Sequence, residues 1–313
     1  MQVLVTGGAG FLGSHLVEAL VHEGATVRVL DNLSTGKFEN LAGLPIEFIE
    51  GDVAQRDVVE TAVCGCDLIF HQAALVSVPL SIKEPKLNQD SNVTGVFNVF
   101  DVAREMDVKR VVYASSAAVY GNLPKLPKQE NDELAPITPY SSAKYMSEIL
   151  AMAYAASYGM EMVGLRYMNI FGPRQDPSSP YSGVLSIFCR RAMAGQDFTI
   201  FGDGEQTRDF VYVKDVVQAN LKAAKAHIGA SASVFNVGRG EQTSLNQIVA
   251  ALSELTNREI PVTYGETRAG DIKHSYADIS KARNVLGYDP QVSIIDGLRE
   301  TLHWFQESEA VFA

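Results

Sequence analysis

Few of the 313 residues are cysteine or tryptophan: Cys64, Cys66, Cys189 and a single Trp. Three thiols cannot build a disulfide framework, and Cys64-Gly65-Cys66 has no second pair with which to hold a metal. They read as small thiols in a reducing compartment. No apolar run approaches the roughly 18 residues of a membrane span. The start runs straight into a strand pattern, with no basic leader or cleavage site, which points to a cytoplasmic protein with no membrane association. Positive charge is also scarce: Lys plus Arg is 26 against 37 for Asp plus Glu, a net charge of −11. A surface of that sign opposes general binding to nucleic-acid backbones. A hydrophobic fraction of 46% excludes a disordered chain, and the length suffices for a core without disulfides or metals.

What is present is rhythm. Short apolar runs at Val3–Val5, Val27–Leu30, Glu47–Ile49, Leu68–His71, Val111–Ala114 and Met162–Arg166 alternate with amphipathic stretches at Leu12–Glu23, Arg56–Val63, Asn92–Met106 and Ser141–Tyr158. That alternation predicts an α/β fold of the Rossmann type, a doubly wound parallel sheet. After Arg166 the rhythm breaks into a loop over Gly172–Gly183, rich in Pro, Ser and Gly. Helices at Val184–Ala194, Val216–Ala226, Ser244–Thr256 and Asp296–Gln306 then mix with strands at Phe198–Phe201, Phe210–Val213, Ser233–Val237 and Ile260–Tyr264. The pattern predicts a smaller C-terminal α/β substrate domain. Residues 1–168, rejoined by 211–238, form the dinucleotide domain; 169–210 and 239–313 form the other.

Gly7-Gly-Ala-Gly10-Phe11-Leu12-Gly13 follows the first strand and opens the first helix. Glycine there permits a tight turn, close approach to a pyrophosphate and close helix–strand packing, and the helix N-terminus offers amides to phosphate. Asp31 ends the second strand, about 20 residues on, where an acid accepts ribose hydroxyls and repels a 2′-phosphate, favouring NAD over NADP. Asp52 follows the third strand, where adenine would lie; an ordinary turn role is equally open to it.

Tyr140 and Lys144 are spaced i, i+4 and share a helix face. An ammonium beside a phenol would lower its pKa and make Tyr140 a base near neutral pH. Upstream, Ser115 and Ser116 end the fifth strand, in the crevice where ligands bind. Ser115 is expected to support the neighbouring backbone. His71, at another strand end, reads as a packed histidine.

Taken together, Thr6–Gly13, Asp31-Asn32-Leu33, His71-Gln-Ala-Ala74, Asn92, Ser115–Gly121, Tyr140–Lys144, Arg166-Tyr-Met-Asn169, Gly172-Pro-Arg174, Arg208-Asp-Phe210 and Arg268-Ala-Gly-Asp271 resemble the extended short-chain dehydrogenase/reductases, and within them the nucleotide-sugar 4-epimerases. The resemblance spans nearly the whole chain. It implies NAD-dependent inversion at C4 of a UDP-hexose through a 4-keto intermediate, with Ser116, Tyr140 and Lys144 as catalytic residues. It implies cofactor contacts from Gly7, Gly10, Phe11, Leu12, Gly13, Asp31, Asn32, Asp52, Val53, Gln72, Ala73, Ala74, Asn92, Tyr140, Lys144 and Tyr167, with Asn92 and Tyr167 on the nicotinamide side. Ser77, Ser116, Asn169, Arg208, Arg268, Asp271 and Ser275 would hold the UDP-sugar. It also implies a homodimer, packed through Asn92–Met106 and the Ala-rich surface (Ala151, Ala153, Ala155, Ala156) of Ser141–Tyr158.

Related dehydratases carry an Asp-Glu pair just after the strand-end hydroxyl; here Ala117 and Ala118 stand there and cannot transfer protons. Uronate epimerases resemble the chain less, because Asp176 stands where they carry a second arginine. Ser275 replaces the bulky tyrosine of relatives restricted to glucose and galactose, so it is expected to leave room for a 2-acetamido group. A reductase that releases its cofactor, a UDP-glucuronate 4-epimerase and a non-enzymatic NAD-binding sensor are the alternatives.

Overall fold

The computed structural model describes residues 1–177, 183–267 and 272–312, with side chains to 307. In chain order the first part runs β1 (Gln2–Thr6), α1 (Phe11–His22), β2 (Thr26–Asp31), β3 (Ile46–Glu50), α2 (Arg56–Val63), β4 (Leu68–His71), α3 (Val78–Lys83), α4 (Pro85–Gln89), α5 (Gly95–Glu105), β5 (Arg110–Ser116), α6 (Pro139–Tyr158) and β6 (Glu161–Tyr167). The second part runs β7 (Asn169–Phe171), α7 (Val184–Met193), β8 (Phe198–Phe201), β9 (Thr207–Arg208), β10 (Phe210–Tyr212), α8 (Val213–Lys225), β11 (Ala232–Val237), β12 (Thr243–Ser244), α9 (Leu245–Leu255), β13 (Val262–Gly265), β14 (His274–Ser275) and α10 (Ile294–Phe312).

Seven parallel strands form one sheet in the order β3-β2-β1-β4-β5-β6-β11. The order reverses direction at β1, so the crevice between the carboxyl ends of β1 and β4 is the switch point where ligands bind in such sheets. The strands are apolar on both faces because helices cover both. Val3, Val5, Leu68, Phe70 and Val112 pack on one side, Leu4, Ile69, Val111 and Tyr113 on the other. Each such side chain contributes roughly 1.5–3 kcal/mol by full burial. A third cluster, with Phe171, Phe188, Phe198, Tyr212, Leu298 and Phe305, lies under α7, α9 and α10.

Among the described residues, three small sheets carry the second part: β10 with β7, β13 with β8, and β12-β9-β14. The two-residue strands β9, β12 and β14 carry too little periodicity to be seen in the sequence. The helix expected from Asn92 begins earlier: α4 runs through a π-helical turn over Asp90–Thr94 into α5. The three cysteines are free, Cys64 exposed and the other two buried. No described helix is long and apolar enough to cross a membrane.

Candidate active site

The glycine loop is built as its spacing predicts. Gly7 has φ of +69°, and a Cβ there would lie 2.6 Å from the amide nitrogen of Ala73. The loop after β1 thus presses on the loop after β4 with no room for a side chain. A Cβ on Gly13 would lie 2.0 Å from the carbonyl oxygen of Gly7, so α1 packs backbone to backbone on the turn. Gly10 caps α1 without a side chain, which leaves the first-turn amides of Phe11, Leu12 and Gly13 to an anion. This cradle fits a dinucleotide pyrophosphate.

Asp31 is buried at the end of β2. Its carboxylate accepts from Ala9 N at 2.9 Å and from Leu33 N at 2.8 Å, and burial raises its pKa. Each oxygen keeps a lone pair for a ribose hydroxyl. Asn32 donates to Asp52 at 2.8 Å, and Asp52 also accepts from Ala54 N at 2.8 Å, which gives it a turn role. Val53 buries its side chain beneath Gly95.

Asn92 and Tyr167, both expected on the nicotinamide side, are held by protein partners. Asn92 sits buried in the π-helical turn. Its Oδ1 accepts from Leu75 N at 3.0 Å, and its Nδ2 donates to Leu75 O and Asn88 Oδ1, both at 2.9 Å. Both amide hydrogens are thereby engaged, and the residue pins the loop after β4. Tyr167 directs its hydroxyl to Asn220 Oδ1 at 3.0 Å and Gln72 Oε1 at 3.2 Å. Gln72 in turn donates to Asn220 at 3.1 Å. These groups join β6 to α8 under the crevice.

Tyr140 opens α6, whose start is set by a capping box between Thr138 and Ser141 and by Pro139. Ser81 accepts from Tyr140 N at 3.2 Å, docking α3 against that turn. Tyr140 and Lys144 are both buried. Ser116, whose Oγ accepts from Ala118 N at 3.2 Å, lies near enough to Tyr140 to act on its phenol. The expected lowering of the phenol by Lys144 is not found. Burial pushes the Tyr140 phenol up, and the Ser116 side chain opposes it. Lys144 Nζ is 5.9 Å from the Tyr140 ring centre and donates to Ala114 O at 3.0 Å; burial lowers its pKa to about 8. Ser115 is a second correction: its hydroxyl donates to Glu148 Oε1 at 2.6 Å rather than serving the backbone. His71 is packed as expected, with Nδ1 2.8 Å from Thr6 Oγ1 and a pKa lowered to about 3 by burial and by Lys144.

On the sugar-nucleotide side, β14 pairs with β9 in the register Ser275 to Arg208, so two residues far apart in sequence become neighbours. Arg208 donates to Thr207 O and Lys273 O. Asn169 is exposed at the start of β7. Ser77 caps α3 by accepting from Leu80 N at 3.0 Å. Arg174 turns away onto α1, donating to Glu18 at 2.9 Å and Ser14 at 3.3 Å. Arg268 and Asp271 lie outside the described residues. Sequence reasoning missed Glu148, Asn88, Asn220 and Asn236. The signal for Glu148 was available: a carboxylate two turns past Tyr140 on the buried face of α6.

Residues 3–238 match the NAD dependent epimerase/dehydratase family. The structure is similar to that of UDP-glucose 4-epimerase from Thermotoga maritima with UDP-glucose, at 39% identity and a TM-score of 0.94, covering 99% of this chain and 100% of that one. It is similar too to UDP-N-acetylglucosamine 4-epimerase from Methanobrevibacter ruminantium in complex with UDP-N-acetylmuramic acid, at 38% identity and a TM-score of 0.94, covering 98% of both chains. A third likeness is to UDP-glucose 4-epimerase from Thermus thermophilus in complex with NAD, at 36% identity and a TM-score of 0.90, covering 98% of this chain and 99% of that one.

Proposed function

The chain belongs to the NAD dependent epimerase/dehydratase family, and from that premise we propose that it inverts C4 of a UDP-hexose through a 4-keto intermediate. The observation that carries this reading is a buried Tyr140 set beside Ser116 at the end of β5, followed at 117 and 118 by two alanines. A proton can be moved there, and no acid–base pair is at hand for elimination.

Held by the glycine loop and Asp31, NAD would supply the hydride acceptance and return that inversion at C4 needs. The chain's own residues do the rest. Tyr140, through Ser116, holds and moves the proton at O4. Lys144 fixes the strand end through Ala114 O and carries a donor toward the nicotinamide ribose. The amides of Phe11, Leu12 and Gly13 hold the pyrophosphate, and Asp31 the adenosine ribose. Residues 1–168 with 211–238 serve the cofactor, and 169–210 with 239–313 the UDP-sugar. Asn169, Arg208 and Ser275, with Ser77 and the sequence candidates Arg268 and Asp271, anchor the nucleotide and leave the sugar free to turn over. Ser275 is small enough to admit a 2-acetamido group, so both the glucose and the N-acetylglucosamine pairs are substrates.

The proposal includes a homodimer, supported by an apolar stripe on neighbouring helices: Phe97 on α5, and Met146, Ile149 and Met152 on α6, all about half exposed. This revises the expected surface, because Ala151 and Ala155 are buried within the chain's own core.

The test is to incubate the protein separately with UDP-glucose, UDP-N-acetylglucosamine and UDP-glucuronate, and to follow the C4 configuration by NMR. Inversion of the first two supports the reading; inversion of UDP-glucuronate alone, or of none, overturns it.

A further inference from the structure

Helix α6 presents Tyr140, Lys144 and Glu148 at i, i+4 and i+8 on its buried face. Two of them are bonded to the end of β5, Lys144 to Ala114 O and Glu148 to Ser115, and Tyr140 lies beside the next residue, Ser116. Glu148 is also held from β6. Arg166 donates Nε to Oε1 at 2.8 Å and Nη2 to Oε2 at 2.7 Å, a two-pronged pair with side chains only 3% and 4% exposed. The register sets Ser115 opposite Arg166, so the carboxylate lies where α6, β5 and β6 meet. The remaining Arg166 nitrogen donates to Tyr120 OH at 2.9 Å, and Tyr120 donates to Asn236 on β11 at 2.6 Å.

A buried ion pair is a poor way to gain stability, since an apolar pair of similar volume often does as well or better. What it gives is direction. Three donors on one carboxylate fix both the roll of α6 and its position along its axis. We infer that Glu148, clamped by Arg166, is a positioning residue that sets the separation of Tyr140 from Ser116 and thereby the rate of proton transfer at O4. The inference rests on the reaction proposed above.

The test replaces the pair together, Glu148→Leu with Arg166→Met, so that no charge is left buried alone. Unfolding stability is expected to stay close to the parent's. Turnover is expected to fall roughly 100-fold, the penalty for misplacing a reacting group by about 1 Å. KM for the UDP-sugar is expected to change little, because Arg208 and Ser275 sit on a separate sheet. A second readout needs no turnover: the ultraviolet phenolate titration of Tyr140, isolated by difference against Tyr140→Phe in each background. Separating Tyr140 from the Ser116 side chain is expected to move that step to higher pH. Parental turnover, or an unmoved titration, in a stably folded double variant overturns the inference. Should the double variant not fold, Glu148→Gln, which sets an amide N–H against the guanidinium, is read the same way with smaller effects. A parent protein that inverts no UDP-sugar would defeat the proposed reaction, while the titration would still decide the role of Glu148.

Discussion

Gly13→Ala probes the cradle most directly. The added methyl would start 2.0 Å from the Gly7 carbonyl oxygen and 2.8 Å from Gly8 Cα, both backbone atoms that cannot rotate aside. Reaching a tolerable separation moves the start of α1 by roughly 1 Å. Overpacking of this kind costs about 1–3 kcal/mol, and the upper end applies when backbone meets backbone. The gain in helix propensity returns roughly 1 kcal/mol, for a net loss of about 2 kcal/mol. For a chain of this size that lowers the melting temperature by about 3 °C. The larger effect falls on the cofactor. Displacing α1 draws its first-turn amides off the pyrophosphate, and losing one hydrogen bond to a charged group costs about 1.5–3 kcal/mol. NAD binding to stripped protein is then expected to weaken roughly 10- to 150-fold, measured by titration calorimetry beside a thermal melt. An affinity within about twofold of the parent's would refute this account of why glycine stands at 13.

Ser275→Tyr is expected to abolish inversion of the N-acetylated pair and keep the glucose pair; equal loss of both, or no change, by NMR assay would remove Ser275 as the size gate. Ile149→Glu sets a charge in the apolar stripe and is expected to yield monomers by light scattering, whereas an unchanged mass would clear that face. His71 is held neutral, with its pKa lowered to about 3 from 6.5, so its contribution is present above pH 6.5 and is lost as pH falls toward 3. Between pH 7 and pH 5 this loss reaches about 2 kcal/mol at 1.36 kcal/mol per unit, and His71→Gln is expected to lack it in urea unfolding. A parent and variant with the same pH slope would contradict the assignment. Asn92→Leu is expected to weaken NAD binding by loosening the loop at Leu75 while leaving the secondary structure in place; circular dichroism and cofactor titration check the two halves.

The large sheet was legible because its strands are apolar on both faces and the helices between them are amphipathic. The glycine loop was legible because its spacing is a steric requirement. The two-residue strands of the second part were not, since strands so short are defined by their partners alone. Tyr140 and Lys144 could be paired from their spacing, but not the direction of the phenol's shift. Burial decides that shift, and burial depends on α3 and β5 as much as on α6. Asn92 could be picked out but not assigned. A π-helical turn leaves no pattern in sequence, and it is that turn which aims the side chain at Leu75.

The pairing of β14 with β9 bears on how such a protein changes over evolutionary time. Ser275 joins the sheet through its main chain: its carbonyl oxygen accepts from Asp209 N at 2.9 Å. The side chain at 275 can therefore be exchanged while the strand that carries Arg208 stays fixed. With Ser275 gating the sugar and Arg208 holding the nucleotide, as proposed above, selectivity and grip would be separately heritable, and a single codon could redirect the protein to a new hexose while its hold on UDP was passed on intact.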